Sequence, residues 1–280
     1  MYGTASTVTN WILLEQPGSW GYTALLDSRI PAGTSRTLWR HARDRKLRIV
    51  LVRRPSDRRK PDRRHCYLVH TGPETPWMEC LELNSPEDLL HLDLDPMAEG
   101  RAPDLGRREE GPLFLICTNG RRDPCCAERG RPLAAALAPA FGRFVWECSH
   151  IGGDRFAGNL VCFPHGIYFG RVGPEEAKPV ARAYAEGQLS LNHYRGRSCY
   201  PFDVQAAEYF VRRRLGLAGI DEIQLVERTE EEGGWVRVTF FARGRSVTTV
   251  VLSRPALPPR PLTCHSVRLS RPHSYEVLEK

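Results

Sequence analysis

The chain is expected to be an α/β protein, two successive α/β units followed by an α+β extension. Three observations carry that expectation. Apolar runs of strand length alternate with helix patterns through the first two-thirds of the chain; a polar stretch rich in Gly and Pro, Met97 to Pro112, divides that region; and beyond Asp203 one helix pattern leads into strands joined at Arg243-Gly244-Arg245. At 280 residues the chain can bury a substantial core as two domains or one large one.

In the first unit, Thr34 or Ser35 caps a helix that runs to Lys46, and Leu47 to Arg53 (LRIVLVR) is a strand. A second strand is expected at Cys66 to His70 and a third at Trp77 to Leu83. Ser85-Pro86-Glu87-Asp88 then reads as a helix start, with proline at the first position and acids in the first turn. Cys66 and Cys80 lie in apolar surroundings and are expected to be packed side chains. The second unit opens with a strand from Pro112 to Ile116. A helix follows Cys126 (AERGRPLAAALA), in which Pro132 is tolerable only near the first turn. A strand comes next at Arg143 to Cys148. Leu160 to Phe163 and Ile167 to Arg171 flank the turn Pro164-His165-Gly166, with His165 facing solvent, and a helix runs from Pro174 toward Glu186. That order of elements is the order of a thioredoxin-like sandwich. In the extension Asp203 caps a helix (VQAAEYFVRRRLG), and strands follow at Ile223 to Arg228, Trp235 to Ala242 and Ser246 to Ser253. The expected divisions are residues 1–110, 111–192 and 193–280.

Composition narrows the function classes. The only apolar run near the start, Trp11 to Leu14, is too short for a secretory core, and no later run reaches spanning length. A cytoplasmic protein with no membrane association is therefore expected. Nine cysteines, an odd number without an export signal, point to metal or redox use of some thiols over a disulfide framework. The net charge of +7 comes largely from arginine, with one run from Arg53 to Arg64 (RRPSDRRKPDRR). Such a run is a solvated loop or a docking surface for an acidic partner protein. Nucleic acid is disfavoured, since no aromatic residues interleave the cations.

Five of the nine cysteines fall between Pro112 and Arg171. Cys117 follows the first strand of that unit, Cys126 stands beside a helix start that favours a thiolate, and His150-Ile151-Gly152-Gly153-Asp154 follows the next strand. If the two strands are neighbours, their loops emerge at one edge and Cys117, Cys126, His150 and Asp154 converge. Thiolates with imidazole suit zinc or an iron–sulfur cluster, and ligands eight residues apart suit two irons better than a structural zinc site. Cys264-His265 is a further ligand-type pair, read as incidental.

These residues carry a resemblance. Cys117 to Arg171 resembles the thioredoxin-like [2Fe-2S] ferredoxins, and the whole chain is similar to the sucrase/ferredoxin-like family, in which such a module forms the second half. Cys126-Ala127-Glu128-Arg129-Gly130 matches the Cys-Ala-x-Arg-Gly run of that fold, which favours Cys126 over Cys125. His150-x-Gly-Gly-Asp154, followed by Phe163-Pro164-His165-Gly166, matches the family's His-x-Gly-Gly-His except at Asp154. The resemblance implies two thioredoxin-like halves, the first degenerate and the second ferredoxin-like. It also implies a [2Fe-2S] cluster on Cys117, Cys126 and His150. Register favours Asp154 as fourth ligand, soft-ligand chemistry favours Cys148, and both stand as candidates. The expected function is that of an electron carrier working with a redox partner protein, the basic run being suited to an acidic one. A thiol–disulfide oxidoreductase using Cys117, Cys125 or Cys126 is the alternative enzyme, disfavoured because no Cys-x-x-Cys is present. A non-redox zinc site or degenerate site serving partner binding is a third reading. No glycosidase pair of carboxylates accompanies the family name.

Overall fold

A computed structural model describes residues 1–55, 61–263 and 266–278. Cys264 and His265, and the centre of the basic run, lie outside the described residues. The first unit comprises β1 (Asn10–Glu15), α1 (Ala24–Asp27), α2 (Ala32–Asp44), β2 (Leu47–Arg53), β3 (Arg64–His70), β4 (Trp77–Leu83), a 3-10 turn (Pro86–His91), α3 (Asp95–Ala98) and β5 (Arg107–Arg108). The second comprises β6 (Leu113–Cys117), α4 (Pro124–Phe141), β7 (Val145–Cys148), β8 (Leu160–Phe163), β9 (Ile167–Phe169), α5 (Pro174–Ala185) and β10 (Tyr194–Arg197).

All ten strands form one sheet in the order β10-β9-β8-β6-β7-β2-β1-β3-β4-β5. The order repeats: β2-β1-β3-β4 in one half and β7-β6-β8-β9 in the other, with the parallel pairs β1/β2 and β6/β7 bridged by α2 and α4. The halves meet where β2 pairs antiparallel with β7, Val52 opposite Cys148 and Arg53 opposite Glu147. One sheet face carries a core shared by both halves, including Trp11, Val52, Leu115, Cys117, Trp146 and Cys148. On the other face each half has its own core, Ile12, Leu51 and Leu68 beneath α2, and Phe114, Ile116 and Val145 beneath α4 and α5. Burial on both faces explains why β1 and β6 read as continuous apolar runs without alternation.

The extension packs α6 (Phe202–Leu215) on a four-stranded antiparallel sheet of β11 (Ile223–Glu230), β12 (Trp235–Ala242), β13 (Arg245–Pro255) and, beyond the two-residue pair β14 (Arg260–Pro261) and β15 (Leu269–Ser270), β16 (His273–Leu278). It is joined to the large sheet by a buried charge network: Glu208 on α6 accepts from Tyr194 Oη at 2.6 Å and from Arg212 at 3.0 Å, and Arg197 of β10 lies 3.9 Å away. Gln205 exchanges hydrogen bonds with the backbone of Ala5, which ties the first residues of the chain to α6.

Several local expectations are corrected. α4 begins at Pro124, capped by Asp123, so Pro132 sits well inside the helix. Asp203 lies in the first turn of α6 and pairs with Arg228 at 2.8 Å, while Pro201 holds the cap position. The stretch read as a linker is structured: Asp104 and Leu105 donate to the buried Glu79, and Arg107–Arg108 pair with β4. The described ends of the basic run turn inward, Arg53 onto Glu147 at 2.7 Å and the Trp20 ring, Arg54 onto the Trp146 ring. Bonded to Tyr184 Oη at 2.7 Å, His165 is half-buried and does not project into solvent.

Candidate metal centre

Cys117 is the last residue of β6 and Cys148 the last of β7, and in this parallel pair the two stand opposite each other. Their loops therefore leave the sheet at one edge. After β6 the chain crosses to α4, where Asp123 Oδ1 accepts from the Cys125 N–H at 2.9 Å and Cys126 falls in the first turn. Gly130 lets α4 approach that closely: a Cβ there would come 2.1 Å from the Cys117 carbonyl oxygen.

The loop Ser149–Asp154 is fixed by hydrogen bonds to four of its carbonyls. Arg48 donates to His150 O at 3.1 Å, Ser6 to Ile151 O at 2.8 Å, Arg195 to Gly152 O at 3.2 Å and Asn159 to Gly153 O at 2.9 Å. Arg195 is wholly buried and also donates to Asn159 Oδ1 at 2.7 Å and to Thr4 O at 2.5 Å. Gly153, at φ +81°, turns the chain where a Cβ would meet the Arg195 guanidinium. None of Ser6, Arg48 and Arg195 stands out in the sequence, because each acts on a loop distant from it along the chain; Asn159 acts on Gly153 from six residues away.

The result is a compact donor group. Ligand atoms of Cys117, Cys126 and His150 all lie within 4.8 Å of one another. Asp154 flanks them, its Oδ1 accepting from Cys126 Sγ at 3.3 Å and lying 3.0 Å from His150 Nδ1. The Nδ1 contact is at ion-pair distance, though its angles fall short of a hydrogen bond. Cys117 and Cys126 are each 1% exposed, whereas the His150 side chain is 21% exposed and forms the edge open to solvent. Cys148 shares the core face with Cys117 but stands outside the three-donor group. Cys125 is disulfide-bonded, and Cys162 is a fully buried core residue.

The electrostatics are those of a proton-sharing cluster. The hydrogen bond from Cys126 pulls the Cys117 thiol down to about 5 against the cost of burial, with His150 adding to the pull. Cys126 moves far upward, because that hydrogen bond and burial favour its neutral form. Burial opposes charge on His150, yet Asp154 and Cys117 push its imidazole up to about 9. Asp154 is held below its ordinary value, burial being outweighed by His150 and Cys126. Burial alone drives Cys148 upward first, with Cys117 second.

With two sulfurs and an imidazole converging, the donor set has the composition that soft and borderline transition metals take. Among the described residues this is the group of three or more such side chains close enough to share an ion.

Comparison with known proteins locates the chain. The sucrase/ferredoxin-like family model matches residues 1–196. The chain is similar to "Altered inheritance of mitochondria protein 32" of Clavispora lusitaniae, 34% identical over 99 residues that cover 31% of this chain and 35% of that protein. A protein of the same name in Meyerozyma guilliermondii is 30% identical over 95 residues, 30% of this chain and 34% of that one. The chain thus spans about a third of the length of the curated relatives it matches. No solved structure matches. These findings correct the expectation of an iron–sulfur electron carrier: the relatives are named for the inheritance of mitochondria, and neither they nor the family match bring electron transfer with them. The thiol–disulfide alternative meets a physical objection as well, since Cys117 and Cys126 are sealed from solvent. No helix among the described residues is long and apolar enough to cross a membrane.

Proposed function

Because the chain belongs to the sucrase/ferredoxin-like family, we propose that it is a metal-binding protein whose centre is held by Cys117, Cys126 and His150. The observation that carries this reading is the convergence of three soft or borderline donors within 4.8 Å, with Asp154 against His150 Nδ1 at 3.0 Å. Donors that close are suited to one ion, since ligands on opposite ends of a two-iron core stand farther apart than ligands sharing a metal. A single zinc or iron ion is therefore the group proposed, with Asp154 orienting His150 and Cys126 as a carboxylate commonly orients a metal-bound imidazole. When bound, such an ion supplies a fixed positive charge and an acceptor for two thiolates. The protein's own contribution is to present Cys117 already ionised and Cys126 with its proton aimed at Asp154, so that binding displaces protons from a preformed site.

Anaerobic purification followed by metal and acid-labile sulfide analysis tests this. About one equivalent of zinc or iron, lost in Cys117→Ser and in His150→Ala, is the expected outcome. Iron with stoichiometric sulfide would replace the single ion by the [2Fe-2S] cluster implied by the resemblance. A protein that purifies without metal and takes up none on titration ends the reading.

A further inference from the structure

A cleft of about 670 Å³ opens alongside the donor group, between the first turns of α4, the segment from Asp154 to Gly158, the start of α5 and residues Pro261–Thr263. One wall is cationic, lined by Arg129, Arg155 and Arg171. The guanidiniums of Arg155, Arg171 and the buried Arg195 gather on one ring, 4.5, 5.7 and 5.0 Å from the Phe156 centroid. Three cationic side chains thus line the cleft with two acids, and of those acids Asp154 is engaged with His150 and Cys126. Among the described residues neither Arg129 nor Arg171 enters a salt bridge. Arg171 is also pinned, its backbone at φ +55° and its N–H on Phe156 O at 2.7 Å, a conformation that side chains other than glycine rarely adopt. The remaining lining is apolar, with Pro132, Ala157, Val172 and Leu262.

We propose that this cleft binds a small organic oxyanion, a carboxylate or phosphate ester on an apolar body. The volume lies in the range of small-molecule sites, and a concave lining that combines arginines with hydrocarbon matches a molecule of that polarity. Guanidinium is the side chain best shaped for the charged end, since its fork meets a carboxylate or phosphate with two parallel hydrogen bonds. The cleft lies outside the Cys117–Cys126–His150 group, so anion binding and metal binding fail separately.

Isothermal titration of the full chain with phenyl phosphate, benzoate and, as the charge-reversed control, benzylammonium decides it. Saturable binding of at least one anion below about 10 mM is expected, with none for the cation. Arg171→Gln and Arg129→Gln each weaken it about tenfold or more, the effect of losing one charge-assisted hydrogen bond, and leave metal content unchanged. Which anion binds more tightly identifies the oxyanion. Binding of neither anion, equal binding of the cation, or affinities unmoved by both substitutions overturns the assignment. Arg129 is exposed on α4, so its variant keeps the test decisive should Arg171→Gln fail to fold.

Discussion

His165 shows how far a residue's role depends on what packs over it. The sequence placed it at a turn tip, and the turn is there, but Tyr184 of α5 covers the ring and donates or accepts at Nδ1. Burial, with Arg197 adding to it, lowers its pKa from 6.5 to about 4. The folded protein therefore binds fewer protons than the unfolded chain between those values, so stability is complete above 6.5 and declines as pH falls. The loss grows to about 2 kcal/mol near pH 5 and on the order of 3 kcal/mol near pH 4, where it levels off. Urea unfolding of the wild type and of His165→Asn at these pH values checks this: the variant should lack that part of the acid dependence, and parallel curves would refute it. Asp154 teaches the same lesson. As a carboxylate it departs from the family's histidine, and its structural position makes it a bridge between Cys126 and His150.

Among the elements, the strand pair β6/β7 and the body of helix α4 were legible because their signals are local: apolar runs, and alanine and leucine content. The length of α4 was not, since a proline at Pro132 usually marks a helix's beginning and here packing on the sheet carries the helix through it. Strand β1 was missed for a related reason. Its run Trp11 to Leu14 is too short to distinguish by periodicity, and its strand partners β2 and β3 lie tens of residues away. The loop Ser149–Asp154 depends on Arg195, which its own sequence does not reveal. Arg195→Lys keeps the charge but cannot serve Gly152, Asn159 and Thr4 at once. We expect metal affinity, measured by chelator competition, to fall about ten- to a hundredfold, as for other residues that orient ligands. An unchanged affinity would remove Arg195 from that role.

At the scale of the whole molecule, the repeated strand order makes the two halves partners across β2/β7, and the candidate site lies at the end of this seam, with Cys148 paired to both Val52 and Cys117. The extension is fastened by Glu208, whose pKa stays below its ordinary value because Arg212 and Arg197 outweigh its burial. Glu208→Ala leaves two buried guanidiniums without their carboxylate and should cost about 3–5 kcal/mol in equilibrium unfolding, a loss below about 1 kcal/mol being inconsistent with this account. By itself the sequence determined the α/β class, most strands and helices, and a short roll of donors in which Cys117, Cys126, His150 and Asp154 stood together. Those rest on periodicity, turn chemistry and ligand-type residues, which act over a few positions. Only the tertiary structure decided that three of the donors converge while Cys148 stands apart, that distant Arg48 and Arg195 hold the loop, and that arginines from α4, the loop after β7 and the turn before α5 line one cleft. Such arrangements follow from strand pairing and burial between segments far apart in the chain, where no local pattern of residues records which partner each side chain will meet.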